Sequence, residues 1–135
     1  MLALVLVAAL GCGDLCAGAA RGHYADLLRS AGYGRFEFER GGFLIRERSG
    51  DITFAPWASI DFRRASFHGS IPEGTIAIVH THPVNAPRPS ARDRAEARRL
   101  GLPVVVVAPQ GVVAAMPDGS ERELWTAGLP CGAFC

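Results

Sequence analysis

The chain has 135 residues, 49% of them hydrophobic and 20% charged, with a formal net charge of +1. That length suffices for one domain with a core of its own. A charge this close to zero excludes the basic surface that a nucleic-acid or acidic-membrane partner would need, and no internal repeat or low-complexity tract is present.

Met1 to Leu10 is almost wholly apolar. Such a run is too short to span a bilayer but has the length of the hydrophobic region of a secretory signal. Ala17-Gly18-Ala19 supplies an Ala-x-Ala cleavage site. Residues 1–19 therefore read as a signal peptide and 20–135 as the mature domain, exported to the periplasm or secreted. Two alternatives stay open. Leu10-Gly11-Cys12 can belong to a lipoprotein box, with Cys12 as the lipidated N-terminus and the one route to a membrane. With no Lys or Arg ahead of it, the run also reads as a buried N-terminal element of a cytoplasmic domain.

The four cysteines form two Cys-x-x-x-Cys pairs, Cys12/Cys16 and Cys131/Cys135. A cut after Ala19 leaves only Cys131 and Cys135, which in an oxidising compartment most simply close a disulfide. A second metal site there is the rival, although two thiols fill only half a tetrahedral shell.

Tyr24, Leu27, Leu28 and Ala31 fall at helical spacing and predict a short amphipathic helix over about Gly22 to Ala31, with Gly32 as its C-terminal cap. His23 lies off that stripe, on the surface. Phe36-Glu37-Phe38-Glu39 alternates like a strand. Gly41-Gly42 then permits a bulge or a close backbone approach before Phe43-Leu44-Ile45. Ser49-Gly50-Asp51 predicts a hairpin turn, with Ile52-Thr53-Phe54 returning. Trp57 to Ile71 reads as a connector anchored by Trp57, Ile60, Phe62 and Phe67, with Arg63, Arg64 and His68 either lining a substrate groove or, more simply, exposed. Pro72-Glu73-Gly74 is a turn, and a central strand starts at Thr75.

Ile76-Ala77-Ile78-Val79 is a buried strand that runs straight into His80-Thr81-His82-Pro83. Strand side chains alternate faces, so His80 and His82 point the same way. Pro83 ends the strand. Pro87 and Pro89 stiffen a loop that delivers Ser90 and Asp93 to the start of a helix over Ser90 to Leu100, which Gly101 ends. Two imidazoles and one carboxylate make three zinc ligands and leave a fourth position for water, the arrangement of a catalytic site. A plainer reading competes: Ser90 with Asp93 is close to a capping box, and two histidines on a strand can be ordinary core residues. Ser90 can serve both purposes. The arginines near this helix most simply solvate its outer face. Val104 to Val107 is a second buried strand, and Val112 to Met116 and Glu121 to Trp125 follow as hairpin strands. Strand, helix, strand and hairpins make an α/β arrangement.

His-Thr-His, seven residues, Ser, two residues, Asp resembles the metal motif of the JAB/MPN metalloproteases, the JAMM motif. That family carries an upstream glutamate in Glu-x-x-Gly-x-Leu, and Glu39-Arg40-Gly41-Gly42-Phe43-Leu44 fits, although Glu37 and Glu47 lie near. The resemblance runs from about Tyr24 to Trp125 and is closest to the small bacterial JAB domains. It implies a single JAB/MPN-like domain, similar in fold to cytidine deaminases, with a mixed central sheet flanked by helices. It also implies Zn2+ held by His80, His82 and Asp93, Glu39 as general base and Ser90 as donor to the oxyanion. The reaction would be hydrolysis of a peptide or isopeptide amide in a peptide or protein substrate, and export would favour a cell-envelope peptide. Two other classes remain: an inactive JAB-like binding or assembly module, and another zinc hydrolase such as a deaminase. The deaminases pair Cys-x-x-Cys with His and Glu. This chain has no cysteine between Cys16 and Cys131.

Overall fold

The computed structural model describes residues 13–35, 39–57 and 70–126. Behind a helical stretch at 13–15, the first complete helix among the described residues is α1 (Gly18–Ser30), followed by strands β1 (Gly41–Arg46), β2 (Ile52–Pro56) and β3 (Thr75–Thr81). Helix α2 (Ala91–Leu100) leads to β4 (Val104–Ala108), β5 (Gly111–Ala115) and β6 (Glu121–Thr126). The strands form one sheet in the order β2-β1-β3-β4-β5-β6. Among the described strands only β3 and β4 run parallel, and α2 makes the crossover that parallel neighbours require. The result is the mixed, helix-flanked α/β sheet that the sequence predicts.

Alternation along the central strands sorts the two faces. Ala77, Val79, Val105 and Val107 point to one core with Tyr24 and Leu27 of α1. Ile78 and Val104 point to the other, with Ala97 of α2 and Trp57. All five residues of β4 are buried, as expected of a strand covered on both faces.

Each turn forms where the sequence places it. Gly50, Gly74 and Gly119 all take positive φ, which glycine adopts without steric cost. Helix α1 starts earlier than its apolar stripe predicts, at Gly18 rather than Gly22. Gly32 follows it with φ 64°, the left-handed residue that closes a helix end. Ser90 caps α2 and Gly101, at φ 67°, ends it.

The glycine pair Gly41-Gly42 lies inside β1, and the register irregularity falls further on, between Leu44 and Ile45. Close approach is the reason for glycine here. A Cβ on Gly41 would stand 2.5 Å from the Trp57 ring, and one on Gly42 would stand 2.4 Å from the Ala55 carbonyl oxygen. The strand begins at Gly41, so Glu39 sits just ahead of it; Phe36, Glu37 and Phe38 lie outside the described residues.

Residues ahead of α1 join the core. Leu15 is 2% exposed, and its carbonyl accepts a hydrogen bond from the Tyr24 hydroxyl at 2.8 Å. Asp14 pairs with Arg46 at 2.9 Å, and Cys16 Sγ lies 3.7 Å from the Leu124 carbonyl oxygen. Gly18 and Ala19 of the expected cleavage site form the first turn of α1. Met1 to Leu10, Cys12, Cys131 and Cys135 lie outside the described residues, as do Ile60, Phe62, Arg63, Arg64, Phe67 and His68. Among the described residues no helix is long and apolar enough to cross a membrane.

Candidate metal centre

The site forms where β3 ends and α2 begins. Alternation puts His80 and His82 on the α2 side of the sheet, their rings edge-to-face with centroids 4.8 Å apart. Beyond Thr81 the parallel ladder continues for one more bond, from the His82 N–H to the Val107 carbonyl at 3.0 Å. The chain then turns through Pro83 to Ala86. This turn returns the Ala86 carbonyl to within 2.8 Å of His82 Nδ1. A carbonyl can only accept, so Nδ1 carries the proton and Nε2 keeps its lone pair for the site.

Asp93 arrives on the first turn of α2. The Ser90 hydroxyl accepts from the Asp93 N–H at 3.1 Å, and the Asp93 carboxylate accepts from the Ser90 N–H at 2.7 Å. The capping box is therefore real, and it does not compete with the site. The oxygen that caps the helix is Oδ2, while Oδ1 lies 2.8 Å from His80 Nε2. Oδ2 also stands 3.3 Å from His82 Nε2. The cap holds the carboxylate in position against both imidazoles.

Glu39 reaches the site through strand pairing. The β1–β3 register sets Gly41 opposite His80. One step on, the Arg40 N–H donates to Thr81 Oγ1 at 3.0 Å and the Thr81 N–H donates to the Arg40 carbonyl at 2.8 Å. Pinned there, Glu39 places Oε2 3.2 Å from His80 Nδ1 and Oε1 3.7 Å from His82 Nε2. The other upstream candidate among the described residues, Glu47, is bonded to Thr53 Oγ1 at the far end of β1.

The electrostatics follow from crowding two carboxylates and two imidazoles. Burial works against a charged His80, but hydrogen bonds and charge from Asp93 and Glu39 outweigh it and raise its pKa to about 9. Burial would likewise push Asp93 up, yet His80 and His82 hold its carboxyl well below the usual range. Two buried bases and two acids thus share a small space in which a cation is favoured. The ligand atoms of Glu39, His80 and His82 lie within 4.8 Å of one another, close enough to hold one metal ion. Asp93 stands nearer still to both histidines. Imidazole nitrogens with carboxylate oxygens are a donor set that suits zinc.

The profile of the Prok-JAB family, prokaryotic homologues of the JAB domain, matches residues 23–127. The chain belongs to this family. No curated protein and no solved structure matches it. Within the JAB domain every expected residue of the motif is gathered at one point: His80, His82, Asp93, Glu39 and, at the helix cap, Ser90.

Two features were not predicted from the residues alone. His23 is half-buried rather than free on the surface: Nε2 lies 3.1 Å from the Ile52 carbonyl and the ring stacks on Phe54 at 5.9 Å. Arg88 and Arg94 do more than solvate α2. Arg88 pairs with Glu121 at 2.9 Å and Glu123 at 3.1 Å, and Arg94 reaches Glu121 at 3.3 Å. These bonds tie the loop carrying Pro87 and Pro89 to β6. The expected helical face of α1 gives the one available signal for His23: it stands four residues before Leu27, beside the buried stripe.

Proposed function

We propose that this JAB domain hydrolyses a peptide or isopeptide amide bond using a zinc ion held by His80, His82 and Asp93. The observation that carries the reading is the convergence of two imidazoles and two carboxylates from three separate elements on one point. The choice of ligands rests on distance and exposure. Asp93 lies 2.8 and 3.3 Å from the two Nε2 atoms, whereas Glu39 is 3.7 Å from His82 Nε2 and approaches His80 on its other nitrogen. The side chain of Glu39 is 24% exposed against 7% for Asp93, which suits a group that must exchange protons with water.

When bound, zinc supplies a polarised substrate carbonyl and a water acidified toward neutrality. Glu39 takes the first proton from the attacking water and hands it to the leaving nitrogen as the C–N bond breaks. The second proton of the water also ends on the nitrogen at neutral pH, so the products are a carboxylate and an ammonium group. Ser90, whose oxygen accepts from the Asp93 N–H, still carries a proton to donate to the oxyanion. A donor of this kind contributes roughly 3 kcal/mol to the transition state. Ala86 fixes the tautomer of His82 throughout. The substrate is a peptide or protein, and an exported enzyme would meet cell-envelope peptides.

Glu39→Gln tests the assignment. The variant should bind zinc as the parent does and lose hydrolysis of a mixed peptide library by about 100-fold or more. Parental turnover in Glu39→Gln would remove Glu39 from the reaction.

A further inference from the structure

The loop between β3 and α2 supplies one contact to the metal centre, the Ala86 carbonyl that accepts from His82 Nδ1 at 2.8 Å. Ala86 itself is exposed and belongs to neither element. The orientation of His82 therefore depends on how firmly this loop is held.

Both ends of the loop are fixed from outside it. At the near end the Val84 N–H donates to the Gly34 carbonyl at 3.0 Å, and Gln110 donates to the Val84 carbonyl at 2.6 Å. At the far end Arg88 donates to Glu121 at 2.9 Å and to Glu123 at 3.1 Å, both on β6. Arg94 donates to the Pro89 carbonyl at 3.1 Å and to Glu121 at 3.3 Å. Glu121 thus takes two guanidinium groups, one from the loop and one from α2.

The sequence makes the link from Arg88 to Ala86 stiff. Ala86-Pro87-Arg88-Pro89 alternates with proline. Each proline fixes its own φ near about −65° and keeps the residue ahead of it out of the helical region. Ala86 and Arg88 both precede a proline, and the one residue between them is a proline. A hold on Arg88 is therefore a hold on the Ala86 carbonyl. An exposed ion pair adds little to stability, and the Arg88 side chain is 54% exposed. Its effect falls on direction rather than on the core.

We infer that Arg88, paired with Glu121 and Glu123, is a positioning residue for the metal centre: it sets the Ala86 carbonyl against His82 and so presents Nε2 to the ion. The inference rests on the reading of His82 as a metal ligand. Partners that orient a ligating imidazole typically change metal affinity by about 10–100-fold, and Arg88 acts one step further out, at the low end of that range.

The full chain is compared with Arg88→Ala, Glu121→Gln and Arg88→Lys. In the metal-free proteins, nuclear magnetic resonance follows exchange of the His82 Nδ1 proton with water. Exchange should be about tenfold faster in Arg88→Ala and Glu121→Gln than in the parent. Zinc should bind both about tenfold more weakly, in competition with a chromophoric chelator, while their urea midpoints stay close to the parent's. Arg88→Lys keeps the charge and should recover part of both losses. Combining Arg88→Ala with Glu121→Gln should cost little more than either alone, since both break one link. Parental proton exchange in both variants overturns the positioning role. Faster exchange with parental zinc affinity overturns it too, as does a zinc loss that merely follows a lowered urea midpoint. Faster exchange in the variants, with no zinc bound even by the parent, supports the hold of Arg88 on the His82 ring and counts against the metal reading instead.

Discussion

His80 is the residue on which the site turns, because each of its nitrogens faces a carboxylate. Its pKa, raised to about 9, means that the metal-free imidazole is charged at neutral pH. A metal ion must displace that proton. Zinc uptake at pH 7 should therefore release about one proton per chain, and apparent affinity should rise with pH until about 9, measured by calorimetry in buffers of different ionisation enthalpy. The same shift has a stability consequence in the metal-free protein. A raised pKa stabilises fully below the ordinary histidine value and is lost as pH climbs through about 9. Asp93 works in the opposite sense: its lowered pKa stabilises above the ordinary carboxylate range and is lost as pH falls. Thermal melts of metal-free protein should thus give a lower midpoint at pH 10 than at pH 7; an unchanged midpoint would mean His80 is not held charged. That His80, His82 and Asp93 come together was legible in the sequence because strand alternation and a helix start are local patterns. Glu39 was not legible from spacing, since only a pairing between residues 41 apart in sequence selects it over its neighbours.

At the scale of elements, the cap of α2 and the β1–β3 register carry the geometry. Gly41 is the sensitive point in the register. Gly41→Ala would bring a Cβ to 2.5 Å from the Trp57 ring and 2.9 Å from the Val79 carbonyl oxygen. Relief requires movement of Trp57 or of β1 itself, at a cost of roughly 1–3 kcal/mol. Urea denaturation should register that loss, and the same substitution should weaken metal binding if β1 shifts and carries Glu39 with it. The described strands, helices α1 and α2 and the turns were readable because each is set by apolar period, glycine and capping residues nearby. The ion pairs from Arg88 and Arg94 to β6 were not, as they join side chains 27 to 35 positions apart. His23 escaped for the same reason: its partners Ile52 and Phe54 belong to a strand that a local pattern cannot bring to α1.

Over the whole molecule, the sheet presents the site at the C-terminal ends of the parallel pair β3 and β4, the position at which crossover connections in α/β sheets leave room for a ligand. The far side of the sheet depends on residues ahead of α1. Leu15, Tyr24 and Ala20 share one core with Val105 and Leu124. A chain cut after Ala19 would give up Leu15 and the bond from Tyr24 to its carbonyl. Compared with a chain beginning at Gly13, it should be destabilised by about 2–5 kcal/mol, the cost of removing a buried leucine. Equal denaturant midpoints for the two chains would show that the domain holds together without residues 13–19.

The central claim is that His80, His82 and Asp93 hold a metal ion, and metal content tests it most directly. Purified full chain, offered zinc and dialysed, is compared with Asp93→Ala by elemental mass spectrometry. Asp93→Asn, which keeps an oxygen for the helix cap, separates loss of a ligand from loss of the cap. About one zinc per chain in the parent and little or none in both variants is the expected result. A parent that retains no metal, or variants that retain as much as the parent, would contradict the assignment.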